Sequence, residues 1–262
     1  MFQRENKYKL LETSCDLFTF LIEEKMKAIK KILKISKTFL GKPYVTDQLD
    51  CVTFVSQVLA LTFSQSEEEA RERLISIDYF KKPAVFENRC HFMSLDWNPH
   101  NAAQGYIKDM TANIVDSHHQ SIVKKGSAWI DKEEFFKRKN IFVKMKPPLA
   151  EINYLPIEKL FTGDQLNDFI FNQLPELFIL EIVRPNWDLT EKIGTHLNVS
   201  HLGFAFKKKS KPENKNDQWI FRHASSEEKK VVDVSLENYL KRYLHHETVK
   251  GINVQEILFP TS

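Results

Sequence analysis

The stretch "GKPYVTDQLDCVTFVSQVLAL" (residues 41–61) sets Cys51 directly after an acidic residue, behind a Tyr-containing turn and ahead of an apolar run. Two templates fit that run. As a strand, positions 52, 54, 58 and 60 are apolar and alternate. As a helix, Cys51, Val52, Val55, Val58, Leu59 and Thr62 form one stripe. The segment 51–63 contains no turn signal and is too long for a typical strand, so a helix is expected. Asp50 is then its N-cap. Cys51 falls in the first turn, where unpaired N–H groups and the helix dipole favour a thiolate. The competing reading is a small buried hydrophobe, which describes most free cysteines. Cys15 and Cys90 lack such a setting and are read that way.

A cysteine hydrolase also needs an imidazole to hold the proton and a third group to orient it. The second half of the chain offers both. "VSHLGFAF" (199–206) alternates, with Leu202, Phe204 and Phe206 on one side and Val199, His201, Gly203 and Ala205 on the other. "QWIFRHAS" (218–225) places Trp219, Phe221 and His223 on one side. The polar segment "KKKSKPENKND" (207–217) between them predicts an antiparallel hairpin. Pairing Phe206 with Gln218 sets His201 directly opposite His223, within hydrogen-bonding reach. His201 is the candidate base and His223 the candidate orienting residue. The backbone N–H of Cys51 and the hydroxyl of Tyr44 are candidate oxyanion donors.

The chain has 262 residues, with 38 basic against 35 acidic ones, and a formal net charge of +3. A nucleic-acid binder shows a clearer basic excess, so no nucleic-acid partner is expected. The seven glycines form no GxGxxG or GxxxxGK[ST] loop. The cysteines form no CxxC pair, and the remaining histidines, His118–His119 and His245–His246 among them, show no metal spacing. No cofactor or metal is expected. No run is long and apolar enough for a transmembrane helix, and no secretory signal is visible. The expected location is therefore a bacterial cytoplasm, or a destination reached by signal-independent export. A monomer is expected.

Along the chain, 8–40 reads as helical, with a lysine-rich face that is solvated or, as the alternative, lies on a membrane surface. Gly41 and Pro43 end it. Residues 67–75 read as a charged helix. Residues 86–111 read as a long shaped loop, a frequent carrier of substrate contacts. A helix over 129–138, a strand over 140–145 ("NIFVKM") and a buried strand over 177–183 ("LFILEIV") come next. No linker divides the chain. The expectation is one globular unit, with a helical segment (1–40) packed on the domain 41–262.

Taken in order, "GKPYV…LDCVTFV", "RCHFMSLDWNPHNAAQGYIKD", "VSHLGFAF" and "HASSEEKKVVDVSLENYL" resemble the NlpC-type cysteine amidases and endopeptidases of bacterial cell walls. The likeness is to the N-acetylmuramoyl-L-alanine amidase-like branch and spans roughly residues 30–258. It implies an α+β, papain-like fold, in which a helix carrying the nucleophilic cysteine packs on an antiparallel sheet carrying two histidines. It implies Cys51 as nucleophile, His201 as base and His223 as orienter. Tyr44 and Asp50 would lie on the oxyanion side, and Arg89, His91, Trp97 and Asn101 in the substrate groove. The implied substrates are muropeptides, cut at the amide between muramic acid (often its anhydro form) and L-alanine. Two rivals remain at this level. One is an endopeptidase or acyltransferase using the same three residues. The other is a non-catalytic module that binds muropeptides or a protein.

Overall fold

The computed structural model describes residues 19, 22–46, 48–209 and 217–259. The expected start of the first helix, and Cys15 with it, lies outside these residues. Helix α1 covers 22–37. It is followed by α2 (Cys51–Thr62), α3 (Glu67–Asp78), a π-helical turn (Met93–Trp97) and α4 (Asn98–Ala103). Then come β1 (Ile107–Asp109), β2 (Lys124–Trp129), α5 (Lys132–Lys137), β3 (Leu149–Pro156), β4 (Phe161–Thr162), β5 (Gln165–Leu166) and α6 (Asp168–Phe171). The last part holds β6 (Leu177–Leu189), α7 (Thr190–Ile193), β7 (Thr195–Lys208), β8 (Gln218–Ser225), β9 (Lys230–Ser235), α8 (Leu236–Lys241) and β10 (Gly251–Ile257). The main sheet is antiparallel, in the order β2-β3-β10-β6-β7-β8-β9, with β1 also paired to β10. The fold is α+β, with the N-terminal helices packed against this sheet. No helix among the described residues is long and apolar enough to cross a membrane.

The continuous apolar run in β6 follows from burial on both faces. Leu177, Ile179 and Val183 join the core beneath α1, α2 and α3, while Phe178, Leu180 and Ile182 join the core beneath α6 and α8. Strand β7 divides similarly: Leu202, Phe204 and Phe206 meet the first core and Ala205 the second. Phe54 of α2 meets Phe204 edge-on, with ring centroids 5.6 Å apart.

Three expectations need correction. The strand expected over 140–145 is irregular chain. Asn140 turns there with φ +59°, Phe142 is 81% exposed, and none of "NIFVKM" pairs with another strand. The helix expected over 129–138 starts only at Lys132, capped by Asp131, because Trp129 still belongs to β2. The alternation over 199–206 is interrupted at Ser200. Ile182 pairs with His201 and Val183 with Val199, which leaves Ser200 as the extra residue of a β-bulge. The bulge reverses the parity, and Val199 joins the helix-side core with Leu202.

Arg222 fastens α1 to the sheet. Its guanidinium meets both oxygens of Asp233 on β9 at 2.6 and 2.7 Å and also donates to Ser36 Oγ and Leu33 O of α1. Its side chain is nearly inaccessible, whereas that of Asp233 is about one-third exposed. Replacing Arg222 with Met strands the Asp233 charge and the buried Ser36 hydroxyl. The expected cost is about 2–3 kcal/mol, at the lower end for broken buried pairs because water reaches Asp233. Urea unfolding checks this; a loss below about 0.5 kcal/mol would show that the pair is not holding the helix.

Candidate active site

Asp50 caps α2 as expected. Its carboxylate accepts from the N–H of Thr53 (2.9 Å), and the Thr53 hydroxyl accepts from the N–H of Asp50 (2.8 Å). This reciprocal box fixes the first turn and with it Cys51. Helix α2 packs on β7 and β8, the strands that carry His201 and His223. Cys51 and His201 line one cleft of about 180 Å³. His91, Phe92, Ser94 and Asn198 form other parts of its wall.

His201 Nε2 lies 2.7 Å from His223 Nδ1. The pairing is not the expected one. The register of β7 and β8 runs Phe204↔Arg222 and Phe206↔Ile220, two residues away from the expected Phe206–Gln218 alignment. A shift of two keeps each side chain on its face, so the imidazoles meet diagonally rather than head-on. Gly203 makes room for this. A Cβ there would stand 2.5 Å from Arg222 O, 2.8 Å from His223 Cβ and 2.8 Å from Phe221 Cε2. Phe221 stacks on His223 (centroids 4.6 Å apart, 13° between planes), and Tyr239 of α8 packs against both rings, 4.8 Å from Phe221 and 5.2 Å from His223.

Electrostatics here oppose charge on every member. Burial pushes the Cys51 thiol up to about 12, with the neighbouring Asp50 adding to the rise; backbone N–H groups of Leu202, Val52 and Cys51 pull the other way. Burial, then the facing His223 and the guanidinium of Arg242, lowers His201 to about 3. Burial and Arg242 lower His223 to about 4, against Glu227 and Asp233. The expectation of a thiolate favoured at rest is therefore corrected. The helix-start N–H groups do point at the sulfur, but loss of hydration outweighs them.

The other predicted residues separate into two groups. His91 is in the cleft wall, its Nε2–H donating to Phe86 O at 2.7 Å and its backbone N–H to buried Asp96. Trp97 and Asn101 are fully buried, and their expected place in a groove is corrected. The π-helical turn aims the Trp97 indole inward, where Nε1–H donates to Asp78 Oδ1 (3.2 Å) and Ser56 Oγ (3.3 Å). Asn101 Nδ2 donates to the carbonyls of Ile77 and Trp97. Arg89 is half-buried outside the cleft wall, where its charge acts on the buried Asp78. Tyr44 packs on the helix-side core. Asn198, Ser200 and Ser94 are the polar cleft residues that sequence reading missed. The available signal was the polar pair flanking Val199 in "NVSH", out of place in so apolar a strand. Asn198 is buried and donates to Ala150 O (3.0 Å) and Ser94 Oγ (3.3 Å), which ties two cleft walls together. Among the described residues, no group of three or more His, Cys, Asp or Glu is placed to hold a metal ion.

The AmiA-like family profile, described as N-acetylmuramoyl-L-alanine amidase-like, matches residues 34–245. The chain belongs to this family. It is an NlpC-related, amidase-like hydrolase family. The solved structure of protein LPG0564 from Legionella pneumophila is 32% identical, with a TM-score of 0.79, over 88% of this chain and 89% of that one. An N-acetylmuramoyl-L-alanine amidase from Bacteroides uniformis shares the fold at 23% identity and a TM-score of 0.60, over 87% of this chain and 99% of that one. No curated protein matches.

Two outcomes are expected. Replacing Gly203 with Ala must separate β7 from β8 at the imidazole pair, since two of the three close atoms are strand backbone or Cβ. The His201–His223 hydrogen bond should then be lost from the imidazole NMR spectrum; an unchanged spectrum would show that the strands tolerate the methyl group. In the parent protein, both imidazoles should remain neutral at pH 5.5 by ¹⁵N shifts. Because their folded pKa values lie below the ordinary histidine value, the unfolded chain takes up these protons first. The stability they contribute is present above about pH 6.5 and is lost as pH falls toward 4 and 3. The His201→Gln/His223→Gln double variant should therefore show a shallower loss between pH 7 and 4.5. Equal slopes would mean that the pair titrates as exposed histidines do.

Proposed function

We propose that the protein is a cysteine amidase on a papain-like fold. It hydrolyses the amide between the lactyl group of muramic acid and L-alanine in peptidoglycan fragments. The observation that carries this reading is a single cleft shared by Cys51, at the start of a capped helix, and His201, itself hydrogen-bonded to His223. The family match supplies the reaction class, and the Bacteroides uniformis relative suggests the bond.

The chemistry starts from a neutral thiol and a neutral imidazole. His201 Nε2–H donates to His223 Nδ1, which leaves the other ring nitrogen of His201 as the acceptor. That nitrogen takes the thiol proton as Cys51 Sγ bonds to the amide carbonyl carbon. The carbonyl electron pair moves onto oxygen, and the N–H groups at the helix start stabilise the oxyanion. Collapse breaks the C–N bond, and His201 gives its proton to the departing amine of L-alanine. A thioester remains on Cys51. Water then loses a proton to His201 and attacks the thioester, releasing the muramic carboxylic acid and restoring the thiol. Charge exists only in transit. The low-dielectric cleft that discourages a resting thiolate also strengthens the oxyanion contacts.

Mass spectrometry of products from defined muropeptides tests the bond. Free sugar acid plus a peptide beginning with L-alanine supports the amidase. A shortened peptide still attached to its sugar would make the protein an endopeptidase. Cys51→Ala should abolish turnover with the fold retained. His201→Ala should cost at least about a hundredfold, because base and leaving-group acid are lost together. His223→Asn should retain part of the activity, since an amide can still accept from His201; full activity in His223→Ala would remove its orienting role. Alkylation of Cys51 should accelerate steadily with pH between about 6 and 9, without the low-pH plateau of a preformed thiolate.

A further inference from the structure

Beside the Cys51 cleft lies a larger cavity of about 350 Å³. Ser94 belongs to the wall of both, so the two are neighbours. The rest of its polar lining comes from Asn98, Asp109, Lys125, Glu151, Asn153 and Gln255. The catalytic chemistry makes no use of this cavity, although Ser94, Asn98 and Asp109 of its lining come from the 86–111 segment.

Its acidic side is rigidly built. The buried Gln255 donates to Asn253 Oδ1 (2.8 Å), and the buried Asn253 donates to Asp109 Oδ2 (3.2 Å) and Asn153 O (3.0 Å). The N–H of Thr111 holds Asp109 Oδ1 at 2.8 Å. A carboxylate fixed from both oxygens needs little reordering to receive a cation. Its basic side is adaptable. Lys125 pairs with Glu151 at 3.4 Å, but both side chains are at least half exposed, so the pair opens at little cost. Asn98 is held through its Nδ2 by Glu181, and its buried Oδ1 has no partner in the protein.

The chemistry of the lining distinguishes peptide from sugar. No aromatic ring lines the cavity, whereas Phe92 and His91 line the reactive cleft. Sugar rings favour aromatic faces. Fixed charges of both signs, with amides between them, suit a peptide that carries both signs itself. On the basis of the amidase reading, we propose that this cavity receives the peptide on the amine side of the scissile bond. It selects peptides bearing a carboxylate, which pairs with Lys125, and a primary ammonium group, which pairs with Asp109.

Calorimetry on the Cys51→Ala protein tests this without turnover. The probe is a tripeptide beginning with L-alanine and carrying a glutamyl carboxylate and a lysyl amine. Lys125→Met should weaken its binding about tenfold, the worth of one charge-assisted contact, yet leave unchanged the binding of the same peptide with its carboxylates amidated. Asp109→Asn should behave likewise toward the amine, with the lysyl-acetylated peptide as the insensitive control. Lys125 is an exposed strand residue, so its variant keeps the test intact even if Asp109→Asn unfolds the protein. Unchanged binding of the native tripeptide to a folded Lys125→Met variant would overturn the proposal. Equal weakening of native and amidated peptides would overturn it too. Failure of the amidase reading shows elsewhere, as wild-type protein releasing no L-alanyl peptide from muropeptides.

Discussion

The bulge at Ser200 is the constraint on which the site depends. A regular β7 would send alternate side chains to opposite faces without exception. His201 has to serve two neighbourhoods at once. It shares a cleft with Cys51, whose helix lies on one face of the sheet, and it bonds His223, which stacks with Phe221 and Tyr239 in the core of the other face. One extra residue lies between the Val183–Val199 and Ile182–His201 pairs, so that Val199 shares the first core with Leu202 while His201 keeps the parity of Ala205 on the side of the second. Gly203 completes the arrangement by removing the Cβ that would hold β8 away. The imidazole pair is thus a property of the β7–β8 register and of the close approach at Gly203 as much as of two histidine positions.

That explains which parts were legible in the sequence. The α2 helix, its Asp50 cap and the position of Cys51 depend on local chemistry, and local chemistry is written in consecutive residues. The two-faced burial of β6 was visible as an uninterrupted apolar run. The hairpin of β7 and β8 was visible as two alternating segments around a polar turn. Its register was not, because loop length alone does not fix pairing and a slip of two residues leaves every face unchanged. The bulge was invisible for a related reason. Ser200 is an ordinary strand residue in isolation, and its exclusion from the ladder shows only in the pairing with β6, which carries a second irregularity between Val183 and Trp187, opposite Asn198.

The misreading of 86–111 has a different origin. A guanidinium, an imidazole and an indole within nine residues look like a recognition surface, but three residue types do not specify which way a backbone turns. The π-helical turn buries Trp97 against Ser56 and Asp78, and Asn101 caps carbonyls beneath it. Asp96 receives the N–H groups of His91 and Phe92 and the ammonium of Lys132 at 2.5 Å. The segment is therefore a scaffold that offers His91, Phe92 and Ser94 to the cleft. The side chains with the strongest hydrogen-bonding capacity are consumed in building that scaffold. Of the three presented, His91 was conspicuous in sequence and Phe92 and Ser94 were not.

The same trade runs through the electrostatics. Burial that seats Cys51 against three backbone N–H groups also removes the water that would stabilise its thiolate, and burial removes the water around His201 as well. Arg242, held by Glu227 at 3.0 Å and lying 4.4 Å over the Tyr239 ring, adds a further bias against imidazolium. Under the proposed mechanism, a site built this way would keep Cys51 protonated until a carbonyl is present to receive the electron pair. The thiol is then a poor target for adventitious oxidants or alkylators, which need the thiolate. On the same reading it would become reactive only when bound substrate supplies the oxygen on which the helix-start N–H groups can act. In that reading, protection of the sulfur and the need for a bound carbonyl share one cause, the desolvation of Cys51 where α2 meets β7.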